Sequence, residues 1–146
     1  MKLIYFIAML ASMLLLSCNS EPSLQKYFVE KSEDKDFVAL DVSPSIINVD
    51  KAKLTAEQKT ALESFDKMNI LAFKLDDKNK AQYEAESEKL TQILKGKKYQ
   101  ELMKVGSGKD GASISFVGDE DHIDEFILYG AKSDNGFAVV RILGKD

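Results

Sequence analysis

The sequence predicts an α+β domain: an antiparallel sheet of about five strands, with a mixed arrangement left open, that ends in a three-strand meander and is covered by three or four helices. Three observations carry this expectation. Apolar residues alternate between helix spacing and strand spacing through most of the chain. Thr55-Ala56-Glu57-Gln58 has the form of a capping box. Three strand-like runs close the chain, the last two separated by a turn holding Asn135-Gly136, a strong hairpin signal.

The elements follow in order. Leu24, Tyr27, Phe28 and Lys31 share helical spacing with one apolar face, which predicts a helix from Leu24 to about Glu33. Phe37 to Val42 reads as a strand stopped by Ser43-Pro44-Ser45, and Ile46 to Val49 as a short continuation or a turn of helix. In the capping box the Thr55 hydroxyl can accept from the amide of Gln58 while the Gln58 side chain reaches back. Ala61, Leu62, Phe65 and Met68 then line one face of a helix from Ala56 to Lys67. Ile70 to Leu75 places Leu71, Phe73 and Leu75 on one side of a half-buried strand.

After a polar turn from Asp76 to Lys80, Tyr83, Leu90, Ile93 and Leu94 mark a long charged helix stopped at Gly96. Tyr99, Leu102 and Met103 predict one more short helix before Gly106. The final strands are Ala112 to Val117, Ile123 to Tyr129 and Phe137 to Leu143. The expected core packs Val38, Leu40, Leu71, Phe73, Ile114, Phe116, Phe126, Leu128, Val140 and Ile142 under Leu62, Phe65, Leu90 and Leu94.

The N-terminus carries a different kind of signal. A charge at Lys2, an apolar run from Leu3 to Leu16 and the sequence Leu15-Leu16-Ser17-Cys18 predict a secretory signal over residues 1–17, lipid attachment at Cys18, a tether over 18–23 and one domain over 24–146. Leu15 to Cys18 resembles the lipobox of bacterial lipoproteins, in which the cysteine thiol receives a diacylglyceryl group. The run is shorter than the roughly 20 apolar residues that span a bilayer. Two or three acyl chains exceed the single-chain regime of marginal, reversible binding, so the membrane is an expected partner through Cys18. Cys18 is the only cysteine, and acylation leaves no thiol for disulfides, thiolate metal sites or cysteine catalysis.

Charge and motifs exclude several function classes. The chain carries 20 basic and 24 acidic residues, and Arg141 is its one arginine. Its lysines mostly alternate with acids, with Lys95, Lys97 and Lys98 as the densest basic spot, which argues against nucleic acid. Gly106-Ser107-Gly108-Lys109-Asp110-Gly111 has the spacing of a dinucleotide-binding motif. That motif needs a strand before it and a helix after it. The expected helix before and strand after make it a turn instead, and no cofactor is expected.

Gly118-Asp119-Glu120-Asp121-His122-Ile123-Asp124-Glu125 concentrates carboxylates around the single histidine. Asp119, Asp121 and Asp124 are therefore weak candidates for a divalent cation. The segment lacks the glycine and terminal glutamate of an EF-hand loop, and its first reading is a solvated turn. One histidine without a Gly-x-Ser-x-Gly elbow supports neither a serine hydrolase nor a histidine zinc site. Two carboxylates can converge from distant positions to hydrolyse a glycoside, but the chain has no tryptophan for a sugar platform. No catalytic residue is assigned.

The order α-β-α-β-α-α-β-β-β behind a lipobox, together with four pieces of sequence, resembles a family of domains of unknown function carried by small envelope lipoproteins of bacteria with outer membranes. The pieces are Tyr99 to Val105, the turn and strand ending at Phe116, Glu125 to Tyr129, and Gly136 to Gly144. The resemblance covers about Leu24 to Gly144. It implies an envelope location, and it carries over no activity or catalytic residue. The expected function is a non-catalytic module that binds an envelope protein, lipid or glycan. The alternative is a small periplasmic hydrolase using carboxylates, which a concave pocket with convergent acids would favour.

Asn19 follows the cysteine where an aspartate would, by resemblance to a bacterial sorting rule, retain a lipoprotein in the inner membrane. The outer membrane is therefore the expected location, with the periplasmic or outer side left open. Cys18→Ser is expected to release the protein from membranes, and the parent to incorporate labelled fatty acid and fractionate with the outer membrane. A mutant as membrane-bound as an unlabelled parent would overturn the lipid anchor.

Overall fold

Ser23 begins the first helix by accepting a hydrogen bond from the Lys26 amide at 3.2 Å, one of the donors a helix start leaves unpaired. The structure, a computed structural model, describes residues 22–46 and 48–145. The expected signal segment, Cys18 and most of the tether lie outside the described residues. Helix α1 is Leu24–Lys31, α2 is Ala56–Ser64 and α3 is Lys80–Leu94. The strands are β1 Phe37–Val42, β2 Phe65–Lys74, β3 Gln100–Ser107, β4 Asp110–Gly118, β5 Ile123–Lys132 and β6 Gly136–Gly144, with single 3-10 turns at Pro44–Ile46 and Lys51–Lys53.

All six strands join one antiparallel sheet in the order β1-β2-β6-β5-β4-β3. The α+β class and the C-terminal meander are as expected, but the sheet has six strands rather than five. The sixth is β3, where a short helix was expected. Glu101 pairs with Ser115 and Met103 with Ile114, so Leu102 is an extra residue in a bulge. A bulge breaks the period of two, and it gave Tyr99, Leu102 and Met103 a spacing that imitates a helix. The glycine-rich segment that follows is therefore not a helix-to-strand turn. It is the β3–β4 hairpin, with Ser107 paired to Asp110.

The capping box forms as expected: Thr55 Oγ1 accepts from the Gln58 amide at 3.2 Å and Gln58 Oε1 from the Thr55 amide at 2.9 Å. The helix it starts ends at Ser64, earlier than the expected Lys67. Phe65 and Met68 belong to β2, where Met68 pairs with Ile142. A ladder running the length of β6 overrides local helical spacing here.

The core lies between the sheet and the pair α1 and α3. Phe37, Phe73 and Phe137 are neighbours in one row across β1, β2 and β6. Phe73 and Phe137 stack with ring centroids 5.6 Å apart, and Phe37 meets Phe73 edge-on at 5.1 Å. Leu24 and Tyr27 of α1, with Tyr83, Leu90 and Ile93 of α3, bury themselves on this row and on Leu71, Ile127 and Val139. At the crossing of the two helices the Lys31 ammonium sits 2.6 Å from Glu86, which also accepts from the Tyr27 hydroxyl at 2.9 Å. Burial first, and Glu86 second, push the Tyr27 phenol far above its ordinary range, so it stays a donor. The Tyr99 hydroxyl accepts from the Leu24 amide at 3.0 Å and ties the start of α1 to the entrance of β3.

The expected core mixes two faces of the sheet. Leu71 and Phe73 face the helices as expected, joined by Leu90 and by the partly buried Leu94. Val38, Leu40, Ile114, Phe116, Phe126, Leu128, Val140 and Ile142 belong to the opposite face. The register fixes this: Leu71 pairs with Val139, not Val140, and Ile127, not Leu128, pairs with Arg141. Phe73→Ala should lower unfolding free energy by about 3–5 kcal/mol, the usual cost of emptying a buried phenylalanine site. Leu128→Ala should cost less than about 1.5 kcal/mol, because that side chain is already 37% exposed. Urea melts of both variants test the assignment of faces.

Candidate functional site

The face turned away from α1 and α3 consists of three rows, each running across all six strands. One row is Val38, Ala72, Ala138, Gly130, Ala112 and Val105. The middle row is Leu40, Ile70, Val140, Leu128, Ile114 and Met103. The third is Val42, Met68, Ile142, Phe126, Phe116 and Gln100. None of these residues is charged, in a chain that is 30% charged. Gln100 is the one polar side chain among them, and its amide is occupied in donating to the Gly118 carbonyl at 2.8 Å.

This face has no helix packed across it. The side chains that α1 and α3 bury all belong to the core on the other face, and α2 buries none. Val38, Leu40, Met103, Val105 and Leu128 are exposed at 65, 54, 54, 55 and 37%. A Cβ placed on Gly130 would meet nothing within 4 Å. The large residues of the central strands, Ile70, Ile114, Phe126, Val140 and Ile142, are half-buried, and Phe116 is buried. A contiguous apolar surface of this extent marks a site of interaction.

The helix side of the sheet offers the contrasting feature, a groove of about 310 Å³ lined by Phe28 and Val29 of α1 and by Asp41, Lys67, Asn69 and Arg141 of the sheet. Arg141 is buried under the Phe28 ring, its guanidinium carbon 5.5 Å from the ring centroid. Glu125, its neighbour across β5 and β6, holds it through two bonds of 2.7 and 3.2 Å. The one carboxylate lining the groove, Asp41, accepts from the Asn69 side-chain amide. Convergent acids are not what this groove presents. Ser133 beside Asp110, Lys89 beside Glu30 and the Glu57 carboxylate's own amide hold these three carboxyls below the usual range, opposite to the direction a general acid requires.

The acidic turn between β4 and β5 has an architectural task. Asp119 Oδ1 accepts from the Asp121 amide at 3.0 Å and from the His122 amide at 2.8 Å, closing the turn on itself. Asp124 lies 3.1 Å from His122 Nε2, and both side chains are exposed. Of the sequence candidates Asp119, Asp121 and Asp124, the first is thus engaged with the backbone of the turn and the last lies beside His122. Among the described residues no three His, Cys, Asp or Glu side chains converge as a metal site would require. In the β3–β4 hairpin Gly106 has φ +73°, and a Cβ there would come within 2.2 Å of the Asp110 carbonyl, which accounts for that glycine without a phosphate.

Reasoning from the sequence went to charged and glycine-rich segments and missed the apolar face. The signal was present in β6, whose Phe137-Ala138-Val139-Val140 is apolar at both alternating positions, the pattern of a strand covered on both sides. Among the described residues no helix is long and apolar enough to cross a membrane. The model of a family described as a domain of unknown function, DUF4252, matches residues 27–146. No curated protein and no solved structure matches the chain.

The Arg141–Glu125 pair yields a prediction. Glu125→Leu alone should cost about 3 kcal/mol, because it leaves a buried guanidinium without its counter-charge, whereas Glu125→Leu with Arg141→Met should recover most of that loss. Denaturant melts of the two singles and the double check the cycle.

Proposed function

The chain belongs to the DUF4252 family, and we propose that it is a non-catalytic interaction module of the cell envelope, anchored through a lipid on Cys18, whose working surface is the open sheet face. The observation that carries this reading is the run of three uninterrupted apolar rows across six strands. Leaving such a surface in water forgoes roughly 25 cal/mol for every Å² that a partner could cover. The groove on the other face supports the hydrolase alternative poorly, because Asp41 is its one carboxylate and already has a partner; in a second hollow of about 290 Å³, lined by Asp66, His122, Asp124 and Glu125, Arg141 holds Glu125 and His122 lies beside Asp124.

Anchoring and docking support each other physically. A tether of six residues, at up to about 3.5 Å each, confines the domain to within some 20 Å of the bilayer. Confinement raises the local concentration of any partner held in the same membrane. A photo-crosslinking amino acid placed at Leu128, on the open face, should give discrete adducts in intact cells, while the same group at Glu84, exposed on α3, should give few. Equal labelling at the two positions, or none at Leu128, would overturn the docking reading.

A further inference from the structure

We infer that the occupant of the open face is a second copy of this chain, packed face to face about a two-fold axis that runs parallel to the three rows. The inference rests on the docking reading above and names its partner.

Such an axis, lying midway between two packed sheets, keeps each strand over its own copy and reverses its direction. The middle row then meets itself, and the outer rows meet each other. Residue sizes are matched to this operation. Ala72 faces Met68 of the second copy, Ala138 faces Ile142, Gly130 faces Phe126 and Ala112 faces Phe116. Each of the four small residues in the first row receives a large residue from the third, while at the two edges Val38 meets Val42 and Val105 meets Gln100. Interdigitation of large and small side chains is what face-to-face sheets about 10 Å apart require. A pattern that is complementary to its own two-fold image is the property of an isologous interface.

Lys74 and Lys132 flank the small-residue row, both in register with Gly136; at the other margin the regular rows end at bulges, between Phe65 and Lys67 in β2 and opposite Val117 and Gly118 in β5. The area is also sufficient. Six strands about 4.8 Å apart and three rows about 6.7 Å apart cover roughly 580 Å² per copy, or about 1,150 Å² for the pair, above the ~1,000 Å² expected of a specific interface.

The test uses the full-length chain in its own membranes and a short bismaleimide crosslinker. Leu128→Cys and Ile114→Cys, in the middle row, should each crosslink to themselves as dimers. Gly130→Cys and Phe126→Cys should not do so alone, yet should give a mixed dimer when co-expressed. Adding Leu128→Asp to Ile114→Cys should cut the dimer yield more than about tenfold, since two carboxylates would then face each other. The parent, with Cys18 alone, and Glu84→Cys set the background.

Equal self-crosslinking of all four single variants, or middle-row cysteines that stay monomeric, would overturn the dimer. If those cysteines stay monomeric while the photo-crosslinker at Leu128 captures another protein, or a photoactivatable fatty acid labels the face, docking stands and the second copy is refuted. No adduct of any kind at Leu128 would remove both.

Discussion

The stacking of Phe73 on Phe137 holds together two parts of the sheet that no short turn connects. Strands β3 to β6 form three successive hairpins that local pairing can assemble, whereas β1 and β2 come from the other end of the domain. The ladder between β2 and β6 is the seam, and nine residue pairs run along it. The aromatic row from Phe37 through Phe73 to Phe137 crosses the seam at one end, where Tyr83 lies 5.8 Å from Phe73 and 5.9 Å from Phe137. Gly136 stands beside it with φ +124°, where a Cβ would come within 1.9 Å of the Phe73 carbonyl. The close approach of the two strands at that point therefore depends on the missing side chain.

Joining the two parts creates both faces at once. Each strand contributes alternate residues to the helix side and to the open side, so carrying the aromatic core across the seam also carries the apolar rows behind it. The helices cover one side only. Their polar contacts, Lys31 and Tyr27 with Glu86, are largely buried where the two helices meet and orient α1 on α3. Burial tends to lower the pKa of the Lys31 ammonium, but Glu86 outweighs it and the net shift is upward, so the contact persists through neutral pH and weakens only above the ordinary lysine range. The open side has no comparable layer among the described residues.

Much of this fold was legible in the sequence because its signals are local. The capping box at Thr55, strand β1, helix α3 and the C-terminal meander depend on residues a few positions apart. The errors arose where the deciding pairs are distant. Leu102 looks helical until Ser115 and Ile114 fix its place as a bulge, and Phe65 looks helical until β6 draws it into a strand. The core was misassigned for a related reason. Where Val139 and Val140 are equally apolar, periodicity cannot say which faces the helices; pairing with Leu71 decides it. The same ambiguity hid the candidate site, since an apolar surface for a partner and an apolar core have one signature until the register separates them.

The link between β1 and β2 bears on how the open face can be covered. Adjacent antiparallel strands can be joined by two to five residues, but here 22 residues, Ser43 to Ser64, intervene. Helix α2 within this excursion buries no side chain, and Ile46 and Val49 stay exposed. The excursion leaves the sheet at Val42 and returns at Phe65, beyond the row of large residues. At the opposite margin the connections are short, with Ser107 paired to Asp110 and Lys132 paired to Gly136. A two-fold that keeps each strand over its own copy sets each excursion over the other ends of the partner's β1 and β2, where residues 32–36 enter from α1 and residues 75–79 leave for α3. Both connections lead to helices on the far side of the sheet, so neither crosses the open face that the excursion would overlie.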